Sequence, residues 1–120
     1  MANQIITNLI STRLSTDSSF LPEDWVDGLQ EYNSYIKATY IDTGKILSRK
    51  QTISEDGLTR TVVTVWVNDE ERLKYLEDPI AAKRLADVVA YFKETDGVDV
   101  MCINQEVADG EIIREWQIDY

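Results

Sequence analysis

Residues 59–79 read TRTVVTVWVNDEERLKYLEDP, and the fold turns on this stretch. Its first half is rich in β-branched residues and carries Trp66 near its end, the composition of a strand. Asn68 then stands where a helix cap belongs, and Glu71 three residues on completes an approximate capping box. Leu73 and Leu76 begin an apolar helix face. Asp78 and Pro79 break that pattern and restart it, with Asp78 as a new cap and Pro79 at the first helical position. A strand therefore feeds a helix directly, and that helix feeds another.

Downstream, Ile80, Leu85, Val88, Val89 and Phe92 continue a core-facing stripe, and Gly97 is the expected left-handed cap. Residues 98–107 read as a strand. Asp109–Gly110 is a hairpin signal, and residues 111–120 alternate, with Ile112, Trp116, Ile118 and Tyr120 on one face. Upstream, Asp56–Gly57 joins residues 60–67 to an earlier strand over 45–53. Before that strand, Pro22 opens a helix whose first turn is acidic, and Trp25, Leu29, Tyr32 and Ile36 form its apolar stripe. That helix is expected to fray by Thr39, with a turn at Gly44. A first strand lies within residues 5–14, with Ile5 and Leu9 on one face and Ile6, Ile10 and Leu14 on the other. The order is β, α, β, β, α, β plus a C-terminal strand. The expected fold class is α+β: a single ferredoxin-like domain over residues 1–120, its antiparallel sheet carrying two helices on one face.

A sheet covered on one side alternates apolar and polar residues, and these strands do not. Val63, Val65 and Val67 share one face of their strand while Val62 and Trp66 share the other. Val98, Val100 and Cys102 oppose Met101, Ile103 and Val107 in the same way. Two helices cover one face, so a second copy of the chain is expected to cover the other. Burying about 500 Å² of apolar area per subunit contributes roughly 12 kcal/mol before association entropy and polar desolvation are subtracted. The final strand, through Trp116 and Ile118, is the expected dimer contact. The alternative is that it pairs within its own chain through the Asp109–Gly110 turn.

The chain has 120 residues, 43% of them apolar and 28% charged, which suits one domain with one core. Its net charge of −10 repels phosphate backbones and anionic membranes, so neither nucleic acid nor a membrane is an expected partner. Arg13, Lys45, Arg49, Lys50 and Arg60 come closest to a basic cluster; they read as a solvated strand face or as a small anion-binding face. No apolar run is long enough to span a bilayer, no signal segment is evident, and the single cysteine, Cys102, has no internal partner. A cytoplasmic location is expected. The absence of histidine removes the commonest general base and metal ligand, and with it the Ser-His-Asp and Cys-His systems. The acidic residues 23, 24, 27 and 69–71 fall at helix starts, where negative charge is favourable without a metal. No metal and no cofactor is expected.

The segment VVTVWVNDEERLKYLEDP, with EYNSYIKATYIDTGKIL upstream and Gly44 as its glycine, resembles the dimeric α+β barrel proteins, in particular the antibiotic-biosynthesis-monooxygenase-like group. The likeness covers roughly residues 25–105. It implies a homodimeric barrel and a pocket between sheet and helices. Some members of that group are oxygenases without a cofactor, and others degrade haem with an Asn, a Trp and a His. Asn8 and Trp66 correspond to the first two; the His has no counterpart here. Cys102 and Met101 read as strand packing rather than as iron ligands.

Asn8, Tyr32, Trp66 and Tyr91 are the residues expected near the pocket. Each also has a plainer reading: Trp66 as a core anchor, the tyrosines as packing residues with hydroxyls at the surface, Asn8 as a partner for backbone. Three functional readings stand at this point. One is a small homodimeric binding or interaction protein without catalysis. Another is a cofactor-independent monooxygenase acting on a small aromatic or polyketide-type substrate. The last is a sensor domain for a small apolar or aromatic ligand.

Overall fold

The computed structural model describes residues 3–12, 30–96 and 99–120. The expected helix start at Pro22 with Trp25 and Leu29, and the Gly97 cap, lie outside these residues, as do the side chains of Val88, Tyr91 and Phe92. Among the described residues the chain forms β1 (Gln4–Thr12), α1 (Gln30–Ile36) continued by a π-helical turn (Lys37–Ile41), β2 (Ile46–Ile53), β3 (Thr59–Trp66), α2 (Asp69–Glu77), α3 (Pro79–Asp96), β4 (Asp99–Ala108) and β5 (Glu111–Asp119). The fold is α+β, and the described residues form a five-stranded antiparallel sheet in the order β2-β3-β1-β4-β5 with three helices.

The hairpin β4–β5 closes on Asp109 (φ 52°) and Gly110 (φ 81°). Two successive left-handed residues match the right-handed twist of the strands, and Asp–Gly tolerates them. β5 therefore pairs with β4 of its own chain, from Met101↔Asp119 to Ala108↔Glu111.

Side-chain parity assigns the two sheet faces. In β3, Arg60, Val62, Thr64 and Trp66 are buried while Thr59, Thr61, Val63 and Val65 are half-buried. Across the sheet, Trp66 is opposite Ile5 and Ile46, Thr64 opposite Thr7 and Arg49, and Val62 opposite Leu9 and Gln51. Leu9 is in turn opposite Cys102, and Thr7 opposite Asn104. The helices lie on this face, since Ile36 of α1, Tyr75 of α2 and Leu85 of α3 border the same space as Val62 and Leu9. The other face carries Ile6 beside Val65, Val63 and Ile103 on either side of Asn8, and Ile10 beside Met101. All of these are half-buried.

The core lies at the β1–β3 end of the covered face. Ile5, Ile36, Tyr40, Ile46 and Trp66 are buried together, with Tyr32, Tyr35, Tyr75 and Trp116 packed against them. Trp66 and Tyr40 meet edge-on at 5.9 Å and Tyr40 and Tyr75 edge-on at 5.3 Å, while Trp66 and Tyr75 are tilted at 51° with centroids 5.0 Å apart. Each such pair adds about 0.5–1.5 kcal/mol beyond area burial.

Three local expectations are corrected. First, α1 does not fray at Thr39: its last turn widens to π geometry and runs to Ile41, with Asp42 N–H donating to Lys37 O at 2.8 Å. Second, Leu73, Leu76 and Ile80 do not head the buried stripe; they are 48%, 42% and 51% exposed, whereas Arg72 and Ala81 are buried. The cap at Asn68 sets the helix phase, and docking Tyr75 on Trp66 turns Arg72, one turn back, inward. Its Nε donates to Asp69 at 2.7 Å and its guanidinium lies 5.3 Å from the Trp116 ring. Third, Ile112 does not share a face with Trp116, Ile118 and Tyr120. A register shift at Glu106/Val107 places it opposite Val107, 56% exposed, because an extra residue in a ladder reverses the parity of everything beyond it.

Candidate functional site

The space between the covered sheet face and the helices is not filled. A cavity of about 120 Å³ remains. Its floor is two parallel rows of the sheet. One is polar and runs Arg49, Thr64, Thr7, Asn104; the next is apolar and includes Val62, Leu9, Cys102 and Ile118. Trp66 closes one end and Arg60 lies toward the other. Tyr32, Tyr75, Arg84 and Leu85 come down from the helices, and Arg72 and Tyr120 complete the rim.

The polar groups are held by short-range partners. The Thr7 hydroxyl donates to Asn104 Oδ1 at 2.9 Å, and the Cys102 thiol donates to the same oxygen at 3.6 Å. Asn104 is 1% exposed, and its Nδ2 has no hydrogen-bond partner. Arg49 donates to Asn33 at 3.1 Å and lies 5.9 Å from the Tyr32 ring. Tyr32 and Tyr75 share a hydroxyl–hydroxyl bond of 2.5 Å. Arg60 Nε donates to Gln51 at 2.9 Å. Arg84 Nε is buried without a hydrogen-bond partner.

Electrostatics divides the site from the rest of the chain. Four arginines line the cavity and, among the described residues, no carboxylate does. Burial, and then the neighbouring Arg49 and Arg84, pull Arg60 down to about 10. Burial pushes the Cys102 thiol up to about 11, against smaller opposing effects of Arg72 and Asn104. Burial also raises Tyr75, with Tyr32 adding to it. At neutral pH Arg60 is therefore still charged, while the Cys102 thiol and the Tyr75 phenol are protonated. These groups donate hydrogen bonds and hold charge. None of them accepts a proton readily, which is what a general base would need. Among the described residues no three Cys, Asp or Glu side chains converge as a metal site would require.

Trp66 and Tyr32 both line the cavity. Asn8 does not: it has the opposite parity to Thr7 and Leu9, and its Nδ2 donates to Ile103 O at 3.3 Å on the other face. Tyr91 is on α3, with its side chain outside the described residues. Trp116 and Ile118 lie on the covered face of their own chain, Ile118 against the cavity and Trp116 with Arg114 stacked 4.1 Å from its ring. Of the basic residues, Arg49 and Arg60 face the cavity, Lys50 stands exposed opposite Val63, and Lys45 approaches Glu71 at 4.0 Å. Arg72, Arg84 and Asn104 were not among the residues expected there. Parity carried a signal for Arg60, which alternates with Val62, Thr64 and Trp66. Arg84 carried none, because Leu85 beside it is the residue that suggests a buried face.

No helix among the described residues is long and apolar enough to cross a membrane. Comparison with known proteins finds no matching family model, no matching curated protein and no matching solved structure.

Proposed function

We propose that this chain is a small-molecule-binding protein on a ferredoxin-like frame, related to the dimeric α+β barrels and paired as a homodimer through the sheet face opposite the described helices. The observation that carries the binding reading is the cavity itself. A domain of this size ordinarily packs its interior to the density of an organic crystal. Here aromatic rings, arginines and a buried amide border an empty volume. Space of that kind, with a few convergent polar groups, is the usual form of a ligand site. The ferredoxin-like reading is supported by the strand order β2-β3-β1-β4 within the five-stranded sheet, with β5 added at the β4 edge. The homodimer reading is supported by Ile6, Ile10, Val63, Val65, Met101 and Ile103, which make the sheet face opposite the described helices apolar.

Catalysis by a cofactor-independent oxygenase is the second reading. The aromatic walls favour it; the lack of a ready proton acceptor in the cavity does not. Oxygen consumption with an electron-rich phenol separates it from binding alone.

The binding reading is tested by titrating the full chain with indole, a neutral ring-sized probe, and following the indole N–H resonance of Trp66. Saturable shifts at millimolar concentration are expected. An unperturbed Trp66 at the solubility limit of the probe contradicts the reading.

A further inference from the structure

The cavity is cationic in an acidic protein. The chain carries −10 overall, yet four of its six arginines line this one space. Chance scatter over a surface does not produce that arrangement, and packing alone disfavours it, since clustered guanidinium groups repel and lose water on burial. Arg60 bears the imprint of both effects, burial first and then Arg49 and Arg84.

Four buried side-chain atoms among the described residues have no hydrogen-bond partner, and the two that belong to residues lining the cavity have one sign, Ser11 Oγ and Glu71 Oε2 lying on residues outside it. Asn104 Oδ1 is already occupied by Thr7 and Cys102, while its Nδ2 is left over in a side chain that is 1% exposed. The leftover atom on Arg84, Nε, is also an N–H. Both are donors. Buried donors go unpaired rarely, and each needs an acceptor. A ligand that satisfies them brings acceptor oxygens, and the guanidinium groups call for those oxygens to be charged.

The remaining walls set the rest of the molecule. Leu9, Val62, Trp66 and Tyr75 offer apolar and aromatic contact. The volume of about 120 Å³ is close to that of an engineered cavity, about 150 Å³, that accepts a single benzene ring. There is room for one ring or a short chain, and not for a nucleotide or a polycyclic.

We propose that the ligand is a small organic acid, a carboxylate on one ring or a short hydrocarbon chain, with its oxygens taken up by Arg84 and Asn104 in the field of Arg49 and Arg60. This rests on the binding reading above and names the ligand's class. A carboxylate suits the planar fork of arginine, and its apolar remainder suits the Leu9–Val62–Trp66 floor, which a bare oxyanion would leave unused.

Isothermal calorimetry on the full chain tests this with benzoate, benzamide and inorganic phosphate as probes. Benzamide has the same ring and shape without the charge. Benzoate is expected to saturate one site per chain and to bind at least about tenfold more tightly than benzamide, as a lost charge-assisted bond implies. Arg84→Met is expected to weaken benzoate by about tenfold and benzamide by clearly less, since only benzoate loses a charge-assisted bond, with the thermal midpoint unchanged. Asn104→Leu is the second variant, read against its own melting curve, and should also weaken benzoate. Equal affinity for benzoate and benzamide overturns the organic acid and leaves the binding reading standing. Tighter binding of phosphate than of benzoate overturns it in favour of a bare oxyanion site. If none of the three binds while indole does, the organic acid falls and the binding reading stands; if indole fails as well, both fall.

Discussion

Asp78 shows how much one side chain can hold together. One carboxylate oxygen accepts from the Tyr35 hydroxyl at 2.6 Å and from the Tyr40 hydroxyl at 2.5 Å, and the other accepts from Ile80 N–H at 2.9 Å. It thus caps α3 and ties that helix to α1 across the core. Burial pushes its carboxyl up, but the bonds from Tyr35, Tyr40 and the backbone outweigh this and hold it below the ordinary 3.8. A depressed carboxyl stabilises the fold above its unfolded value and loses that stabilisation as the pH falls through the folded one. Asp78→Ala should cost about 2 kcal/mol at neutral pH by urea denaturation, because a cap and two hydroxyl partners go together. Asp78→Asn, an equally good cap, should cost less and should flatten the loss of stability below about pH 4. An Asn variant with unchanged acid sensitivity would place that sensitivity elsewhere. At this scale the sequence was legible where a residue works through its neighbours in the chain. Pro79 pointed to Asp78 as a cap; nothing local pointed to Tyr40 as its partner, because that contact spans 38 positions. Asn8 illustrates the converse. Its strand was evident, but one step of parity separates the cavity from the opposite face.

At the scale of elements, the turn chemistry and caps did most to make the strands and helices readable. Asp109–Gly110, Asp56–Gly57, Asn68 and Asp78 all stand at element ends. What failed were helix phase and strand parity beyond an irregularity. Leu73 and Leu76 suggest a buried face by spacing, yet with Tyr75 docked on Trp66 it is Arg72 that is buried, while Leu73 is 48% exposed and Leu76 only borders the cavity at 42%. The shift at Glu106/Val107 detaches Ile112 from the alternation of β5. Neither event leaves a mark in the residues themselves. The α2 start also departs from a full capping box. Asn68 Oδ1 accepts from Glu71 N–H at 2.9 Å, but the Glu71 carboxylate turns to Lys74 at 3.4 Å and Lys45 at 4.0 Å. Asn68→Ala should therefore cost about 1 kcal/mol in urea denaturation, and Glu71→Gln no more than about 0.5 kcal/mol. Equal costs for the two would mean that the box closes in solution.

The whole molecule is a sheet with two apolar faces put to different uses. One lies under the helices and encloses the cavity. The other, from Ile6 and Val65 to Ile10 and Met101, is apolar and half-buried, and a second copy of the same face is the partner proposed for it. The double-sided pattern was legible in residues 60–67 and 98–107. The placement of the last strand was not, because a strand that pairs at home and one that crosses to a partner share the same alternation. With β5 paired to β4 and Trp116 held between Arg72 and Arg114, association is expected to depend on Val65 rather than on Trp116. Sedimentation equilibrium of the full chain from micromolar to millimolar concentration, beside Val65→Lys, tests the two-sided sheet most directly. The expected result is a species of twice 13.8 kDa that dissociates in the variant while the cavity still binds its probe. A chain that stays at 13.8 kDa throughout would contradict it.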